Sequence, residues 1–144
     1  MKRLLGRSPQ AAERRSVGRT VQVLQGRVTS GFGNWSYWLN ELSEFYRKKT
    51  GVLLYPGTLN LRLAEPWHVP ANPLRLKAHE HAGRVSVNIV PCDVRGYRGF
   101  ILRTDQNERN ELDHPHTIVE VAAEHRLRDK YDLNDGDLFE ISLP

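Results

Sequence analysis

The feature that most constrains the fold is a series of short segments rich in apolar and β-branched residues, each bounded by a turn sequence. In most of them apolar and polar residues alternate, a period of two that places the apolar side chains on one face of a β-strand. These segments occur at 19–28, 58–63, 84–94, 97–103, 117–123 and 137–143. The chain is therefore predicted to consist mainly of about six β-strands.

Helical patterns are few. Apolar residues recur at helical spacing over Asn40–Lys49, with Asn40 as a predicted N-cap, and a second short helix is predicted over Glu124–Tyr131. The polar segment 104–116 is expected to form a flap. Six strands with only two short helices favour a closed β-barrel over a parallel sheet with helical crossovers. The predicted class is mainly β, a closed six-stranded barrel with two short helices.

Composition limits the classes of function. A chain of 144 residues has the size of one domain, and no run of 18 apolar residues predicts a membrane span. Residues 1–20 hold six of the 21 basic residues, whereas the remainder is close to neutral. Residues 1–18 are therefore predicted to be a basic, flexible tail and 19–144 a single barrel domain, so that only the tail is suited to nucleic acid. The lone Cys92 suits a cytoplasmic protein.

Two segments carry residues suited to nucleotide chemistry. The loop Gly31–Gly33 follows a strand, and its glycines allow backbone N–H groups to converge on a phosphate, although such loops are often only tight turns. Thr58 and Asn60 are two residues apart in a strand and point to the same face. Their oxygens are suitable ligands for Mg²⁺, although the pair is also typical of the polar face of a half-buried strand.

Taken together and in this order, three segments resemble the CTP-dependent riboflavin kinase family known from archaea. They are SGFGNWSYW (30–38), YPGTLNLRL (55–63) and HPHTIVEVAAEHRLRDKYDLNDGD (114–137). PGTLN is the most specific of the motifs, and the likeness covers about residues 25–143. The resemblance implies a cradle-loop β-barrel that uses CTP and Mg²⁺ to phosphorylate riboflavin to FMN.

The resemblance also implies residue roles. Thr58 and Asn60 would hold Mg²⁺, and Glu120 would contact the flavin or its ribityl chain. In such a reaction Glu120 is also a candidate base for the attacking hydroxyl, although a buried strand carboxylate that binds only a backbone group or an arginine is an equally ordinary interpretation. The phosphates of CTP would be surrounded by the first nucleotide segment, Gly31, Phe32, Gly33, Asn34, Trp35 and Ser36. The second nucleotide segment would comprise His125, Arg126, Leu127 and Arg128, with some contacts to cytosine made by backbone groups.

The chain departs from the family pattern at two places. Where the family's phosphate loop has a third glycine and an arginine, this chain has Trp35 and Ser36, and Arg27 or Arg62 is a candidate for supplying the missing cation. Where the family has a threonine that touches flavin, the substrate-binding position is occupied by Leu112. Both departures leave alternatives open.

The sequence leaves open two alternatives to a riboflavin kinase. One retains the CTP site and phosphorylates a different small hydroxylated molecule. The other is a non-catalytic ligand-binding or regulatory barrel, in which case the basic tail would engage RNA or a protein. A monomer or a small homo-oligomer is expected.

Overall fold

The computed structural model describes residues 11–16, 19–31, 34–81, 83, 85–110 and 115–144. Their strands are β1 (Ala11–Ser16), β2 (Arg19–Thr29), β3 (Leu59–Arg62), β4 (Leu74–Leu76), β5 (Val87–Val94), β6 (Tyr97–Thr104), β7 (Ile118–Ala123) and β8 (Leu138–Leu143). Their helices are α1 (Trp35–Glu41), α2 (Ser43–Thr50), α3 (Asp105–Glu108) and α4 (Leu127–Lys130), with one 3-10 turn at Ala78–His81. The mainly β class is confirmed, with four short helices in this part of the chain where two were predicted.

Six strands close into an antiparallel barrel in the order β2-β3-β7-β6-β5-β8 and back to β2. This confirms the predicted closed six-stranded barrel. β1 and β4 lie outside the ring, β1 paired with β2 and β4 paired with β5. No described helix has the length and apolar character needed to cross a membrane.

The segment predicted to be a flexible tail contains β1. Ala11–Ser16 pair with β2 in antiparallel register, from Ala11 opposite Leu24 to Ser16 opposite Arg19. This part of the predicted tail is therefore a strand, because its backbone groups pair with those along the edge of β2. Residues 1–10, 17 and 18 lie outside the described residues, and their assignment to a tail stays a prediction.

The helical region begins earlier than predicted, and Asn40 lies inside α1 rather than capping a helix. The apolar residues that face the core along α1, the junction at Leu42 and α2 are spaced three to four residues apart and are Trp35, Leu39, Leu42 and Tyr46. This continuous apolar stripe extends the helical segment back to Trp35. The other additional helix, α3, begins the segment that was expected to be a flap.

The apolar core has two parts. Alternate residues of all six barrel strands fill the barrel, and a second cluster packs the outer faces of β5, β6 and β7 against α1 and α2. All six residues of β7 are buried, because one face points into the barrel and the other lies under the helices. A polar residue on the second face of β7 is therefore held away from water, and Glu120 is that residue.

Barrel closure depends on close contact between β2 and β3 at Gly26. A Cβ atom at this position would lie 2.9 Å from the backbone carbonyl oxygen of Arg62. We predict that Gly26→Ala lowers the free energy of unfolding by about 1–3 kcal/mol, because the two strands must separate. Urea denaturation measures the change. The control Gln22→Ala, at an exposed position of the same strand, should change stability by less than about 0.5 kcal/mol. Equal stability of the two variants would contradict the close contact.

Candidate active site

Three polar side chains meet on the outer face of the barrel. Asn60 on β3 is paired in register with Glu120 on β7, and these side chains are only 6% and 4% exposed. The Thr58 hydroxyl donates a hydrogen bond to Glu120 Oε1 at 2.9 Å, and its oxygen lies 3.3 Å from Asn60 Oδ1. The predicted alternation along 58–63 therefore directs Thr58, just before β3, and Asn60 to one face, where they meet the carboxylate.

The second oxygen of the carboxylate is held by a tryptophan. The indole N–H of Trp35, at the start of α1, donates to Glu120 Oε2 at 2.7 Å. Burying a carboxylate is costly unless it accepts hydrogen bonds, and the donors from Trp35 and Thr58 reduce this cost. Glu120 is therefore held in a defined orientation in a largely dry environment.

A polar groove of about 400 Å³ opens on the side of the cluster that carries Thr58 and Asn60. The residues predicted to bind the nucleotide that line this groove are Gly31, Trp35, Ser36, Arg126 and Arg128. Gly31 has a positive φ of 94°, which favours glycine at this turn. Phe32 and Gly33 lie outside the described residues.

The groove's cations come from the segment around α4. Arg126 and Arg128 line the groove, whereas Arg27 and Arg62, the cations suggested by the sequence, do not. The guanidinium of Arg126 is about half exposed and forms an ion pair with Asp129 at 2.6 Å on the surface. Exposed pairs of this kind are weak, so Arg126 can exchange its partner for an anion in the groove.

Arg128 holds the base of the glycine loop. Its guanidinium donates to the carbonyl oxygen of Thr29 at 3.1 Å and to Asp135 Oδ1 at 2.5 Å, while the Ser30 hydroxyl donates to the same carboxylate. The hydrogen bonds from Arg128 and Ser30 keep the pKa of Asp135 below its ordinary value. This network fixes where the loop leaves β2.

The remaining predicted nucleotide residues lie beside the groove. His125 and Leu127 line a small adjoining pocket of about 60 Å³, and the side chain of Leu127 belongs to the barrel core. Leu127 would therefore contact a ligand through its backbone. Asn34 lines the cavity on the other side of Glu120 and not the groove.

That cavity has a volume of about 490 Å³ and lies between the barrel and α1 and α2. Its walls are mainly apolar and include Trp38, Leu42, Tyr46 and Leu102, with Glu120 at one side. This size and character are typical of sites for small organic ligands. No motif in the sequence predicts this cavity; the available signal is the aromatic residues at helical spacing directly after the glycine loop.

One further wall of the cavity is formed by α3 and the end of β6. Arg103, 2% exposed, donates hydrogen bonds to the carbonyl oxygens of Trp67, His116 and Ile118 and forms an ion pair with Glu108 at 3.1 Å. It thereby ties α3 to the strand that carries Glu120. This role is not predictable from the sequence, in which Arg103 is an ordinary polar residue at the end of a strand. Leu112, the predicted substrate contact, lies outside the described residues.

The site lies within a segment that matches a known family. A family model named CTP-dependent riboflavin kinase, with the description "Domain of unknown function DUF120", matches residues 28–143. The chain belongs to this family. The resemblance predicted from the motifs is therefore confirmed, and the matched range includes both the groove and the cavity.

Curated relatives support this family assignment. The chain is 31% identical to a riboflavin kinase of Methanocella arvoryzae over 127 residues, which cover 84% of this chain and 56% of the relative. It is 32% identical to a riboflavin kinase of Pyrococcus abyssi, and the match covers 82% of this chain and 57% of that relative. It is 29% identical to a riboflavin kinase of Archaeoglobus fulgidus, and the match covers 86% of this chain and 55% of that relative. The chain thus spans little more than half the length of these relatives.

An ion pair anchors the start of α3 and gives a pH-dependent prediction. Arg75 donates two hydrogen bonds to Asp105, at 2.9 and 2.8 Å, and keeps the pKa of that carboxyl below its ordinary value. Because the folded pKa is lowered, the pair stabilises the protein above the unfolded pKa of about 3.9 and this stability is lost as the pH falls through the folded value. Arg75→Gln should lower stability by about 1–2 kcal/mol at pH 7.

Urea denaturation between pH 7 and pH 3 measures the difference in the free energy of unfolding between Arg75→Gln and the wild type. The other carboxyl groups titrate in both proteins, so their contributions cancel in this difference. The difference should shrink towards the acid end. The control Arg47→Gln removes an exposed pair with Glu44 at 4.0 Å and should cost less than about 0.5 kcal/mol throughout. A difference for Arg75→Gln that does not depend on pH would contradict the assignment.

Proposed function

We propose that this chain is a CTP-dependent kinase that transfers the γ-phosphate of CTP to a hydroxyl of riboflavin and so produces FMN. The observation that carries the proposal is the position of Glu120, Thr58 and Asn60 at the junction of a polar groove and an apolar cavity. Phosphoryl transfer requires a donor and an acceptor to be held on either side of one reacting centre. The family and the names of the relatives support the choice of CTP and riboflavin.

The groove is the proposed donor site. Its polar lining, the turn at Gly31 and the half-exposed guanidinium of Arg126 suit a triphosphate. The adjoining pocket beside His125 is the proposed position of the cytosine ring, where backbone groups of the segment 125–128 would contact the base. In this arrangement Arg128 acts mainly by holding the loop, since Asp135 already pairs with it.

Thr58 and Asn60 fit a Mg²⁺ ion. Their side-chain oxygens lie 3.3 Å apart, close to the roughly 3 Å between neighbouring ligands of an octahedral site with Mg–O distances of about 2.1 Å. Among the described residues no group of three or more His, Cys, Asp or Glu could hold a metal, so these oxygens would share the ion with phosphates and water. When bound, Mg²⁺ would neutralise charge on the phosphates.

Glu120 is the proposed catalytic base. A carboxylate accepts up to about four hydrogen bonds. Glu120 can therefore accept hydrogen bonds from Trp35 and Thr58 and also one from a hydroxyl in the cavity. The hydroxyl oxygen forms a bond to the γ-phosphorus, the bond from that phosphorus to the β–γ bridging oxygen breaks, and CDP leaves. The hydroxyl proton passes to Glu120 and then to water.

The apolar cavity is the proposed site of the flavin ring. Trp38, Leu42 and Tyr46 supply flat and aliphatic surface that would exclude water from the reacting centre. The ribityl chain would extend from the ring towards Glu120. A different small hydroxylated acceptor is a second candidate, because Leu112 occupies the position where the family has a threonine.

The reducing cytoplasm, suited to the buried, unpaired Cys92, is the proposed location.

Product analysis tests the proposed reaction. Incubation with CTP, Mg²⁺ and riboflavin should yield FMN and CDP in equal amounts, separated by chromatography. A parallel incubation with ATP tests the choice of donor. CTP bound but no FMN formed would favour a different acceptor or a non-catalytic barrel. Absence of both CTP binding and turnover would refute the kinase proposal.

The metal assignment predicts a specific effect of Asn60→Ala. This variant should lose the part of the CTP-induced thermal stabilisation that depends on Mg²⁺, which corresponds to at least about tenfold weaker binding, while binding without Mg²⁺ is retained. Asn40→Ala, at an exposed position of α1, is the matched control and should behave like wild type. An unchanged Mg²⁺-dependent shift in Asn60→Ala would remove Asn60 from the metal site.

A further inference from the structure

Trp35 occupies the boundary between the two proposed substrate sites. It is the first residue of α1, is half-buried, and lines both the groove and the cavity. Its ring packs against the apolar cluster under α1 and α2, while its N–H points at the carboxylate of Glu120. A ligand in either site therefore meets the side chain that holds this carboxylate.

A chain of hydrogen bonds links Trp35 to the proposed metal ligands. Trp35 donates to one oxygen of Glu120 and the Thr58 hydroxyl donates to the other, at 2.7 and 2.9 Å. A hydroxyl has a single proton, so directing it to Glu120 leaves the oxygen lone pairs of Thr58 to face the groove. The orientation of the carboxylate therefore sets the direction in which Thr58 can bind a cation.

The indole N–H is well suited to this task. It is a donor only, with a fixed direction in the plane of a rigid ring, and its partner is a charged acceptor. With Thr58 at one carboxylate oxygen and Trp35 at the other, rotation of the carboxylate is restrained at both atoms. Loss of the Trp35 hydrogen bond would remove the restraint that the indole places on Oε2.

We propose that Trp35 is a positioning residue that couples the acceptor cavity to the metal-binding pair in the donor groove. The inference rests on the proposed function. A flat aromatic acceptor packed against the indole restrains Trp35, which restrains Glu120 and thereby preorganises Thr58 for the Mg²⁺–nucleotide complex. Coupling between two sites is reciprocal, so each ligand increases the affinity of the other by the same factor.

The test measures binding rather than turnover, with a CTP analogue that cannot transfer its γ-phosphate. Riboflavin binding is followed by flavin fluorescence, and binding of the Mg²⁺–analogue complex by calorimetry, each with and without the other ligand. In the wild type each ligand should strengthen the other about fivefold or more. In Trp35→Phe, which keeps an aromatic wall but lacks the N–H, this factor should fall below about twofold.

Two further variants separate coupling from wall packing. Trp38→Phe alters the cavity without a hydrogen bond to Glu120, and it should weaken riboflavin binding equally with and without the nucleotide, so that the coupling is retained. Glu120→Gln removes the carboxylate with Trp35 intact and should lose the coupling, and combining it with Trp35→Phe should add no further loss. Thermal unfolding by circular dichroism verifies that each variant is folded.

The outcomes distinguish this inference from the proposed function. Coupling that survives in Trp35→Phe, or that is lost equally in Trp38→Phe, overturns the role of Trp35 while leaving the kinase proposal in place. Binding of both ligands to the wild type without coupling also overturns the role of Trp35 and leaves the kinase proposal in place. If the wild type binds neither ligand, the proposed function fails and the inference fails with it.

Discussion

The site is organised around a carboxylate that the fold removes from water. β7 is covered on one face by the barrel core and on the other by α1 and α2, so Glu120 can be tolerated there only with hydrogen-bond donors at its oxygens. Those donors come from different parts of the chain, Thr58 before β3 and Trp35 at the start of α1. Satisfying one buried charge therefore brings together the groove, the cavity and the strand pair on which the proposed chemistry depends.

Part of this arrangement was predictable from local patterns. Alternation along 58–63 predicts that Thr58 and Asn60 share a face. The pairing of β3 with β7, which places Asn60 opposite Glu120, is a long-range contact and was not predicted. The closed barrel follows from the number of short strands and the scarcity of helices. Glu120 is visible in the sequence as the one charged residue in an otherwise apolar strand.

Other parts depend on contacts between distant segments that no local pattern reports. The apolar residues of α1 and α2 predict a buried helix face, yet the same residues leave a cavity of about 490 Å³ beside the barrel. Trp35, which the sequence placed in the phosphate loop as a departure from the family pattern, is the second donor to Glu120. The cations Arg126 and Arg128 reach the groove from the segment around α4, whereas Arg27 and Arg62, which the sequence suggested, do not line it.

The central claim is that Glu120 lies between a bound nucleotide and a bound acceptor. A crystal structure of the chain with Mg²⁺, a non-transferable CTP analogue and riboflavin tests it most directly. We predict phosphates in the groove at Thr58 and Asn60, the flavin ring in the cavity under α1 and α2, and the acceptor hydroxyl within about 3.5 Å of the γ-phosphorus. A ring bound outside the cavity, or phosphates bound away from Thr58 and Asn60, would contradict it.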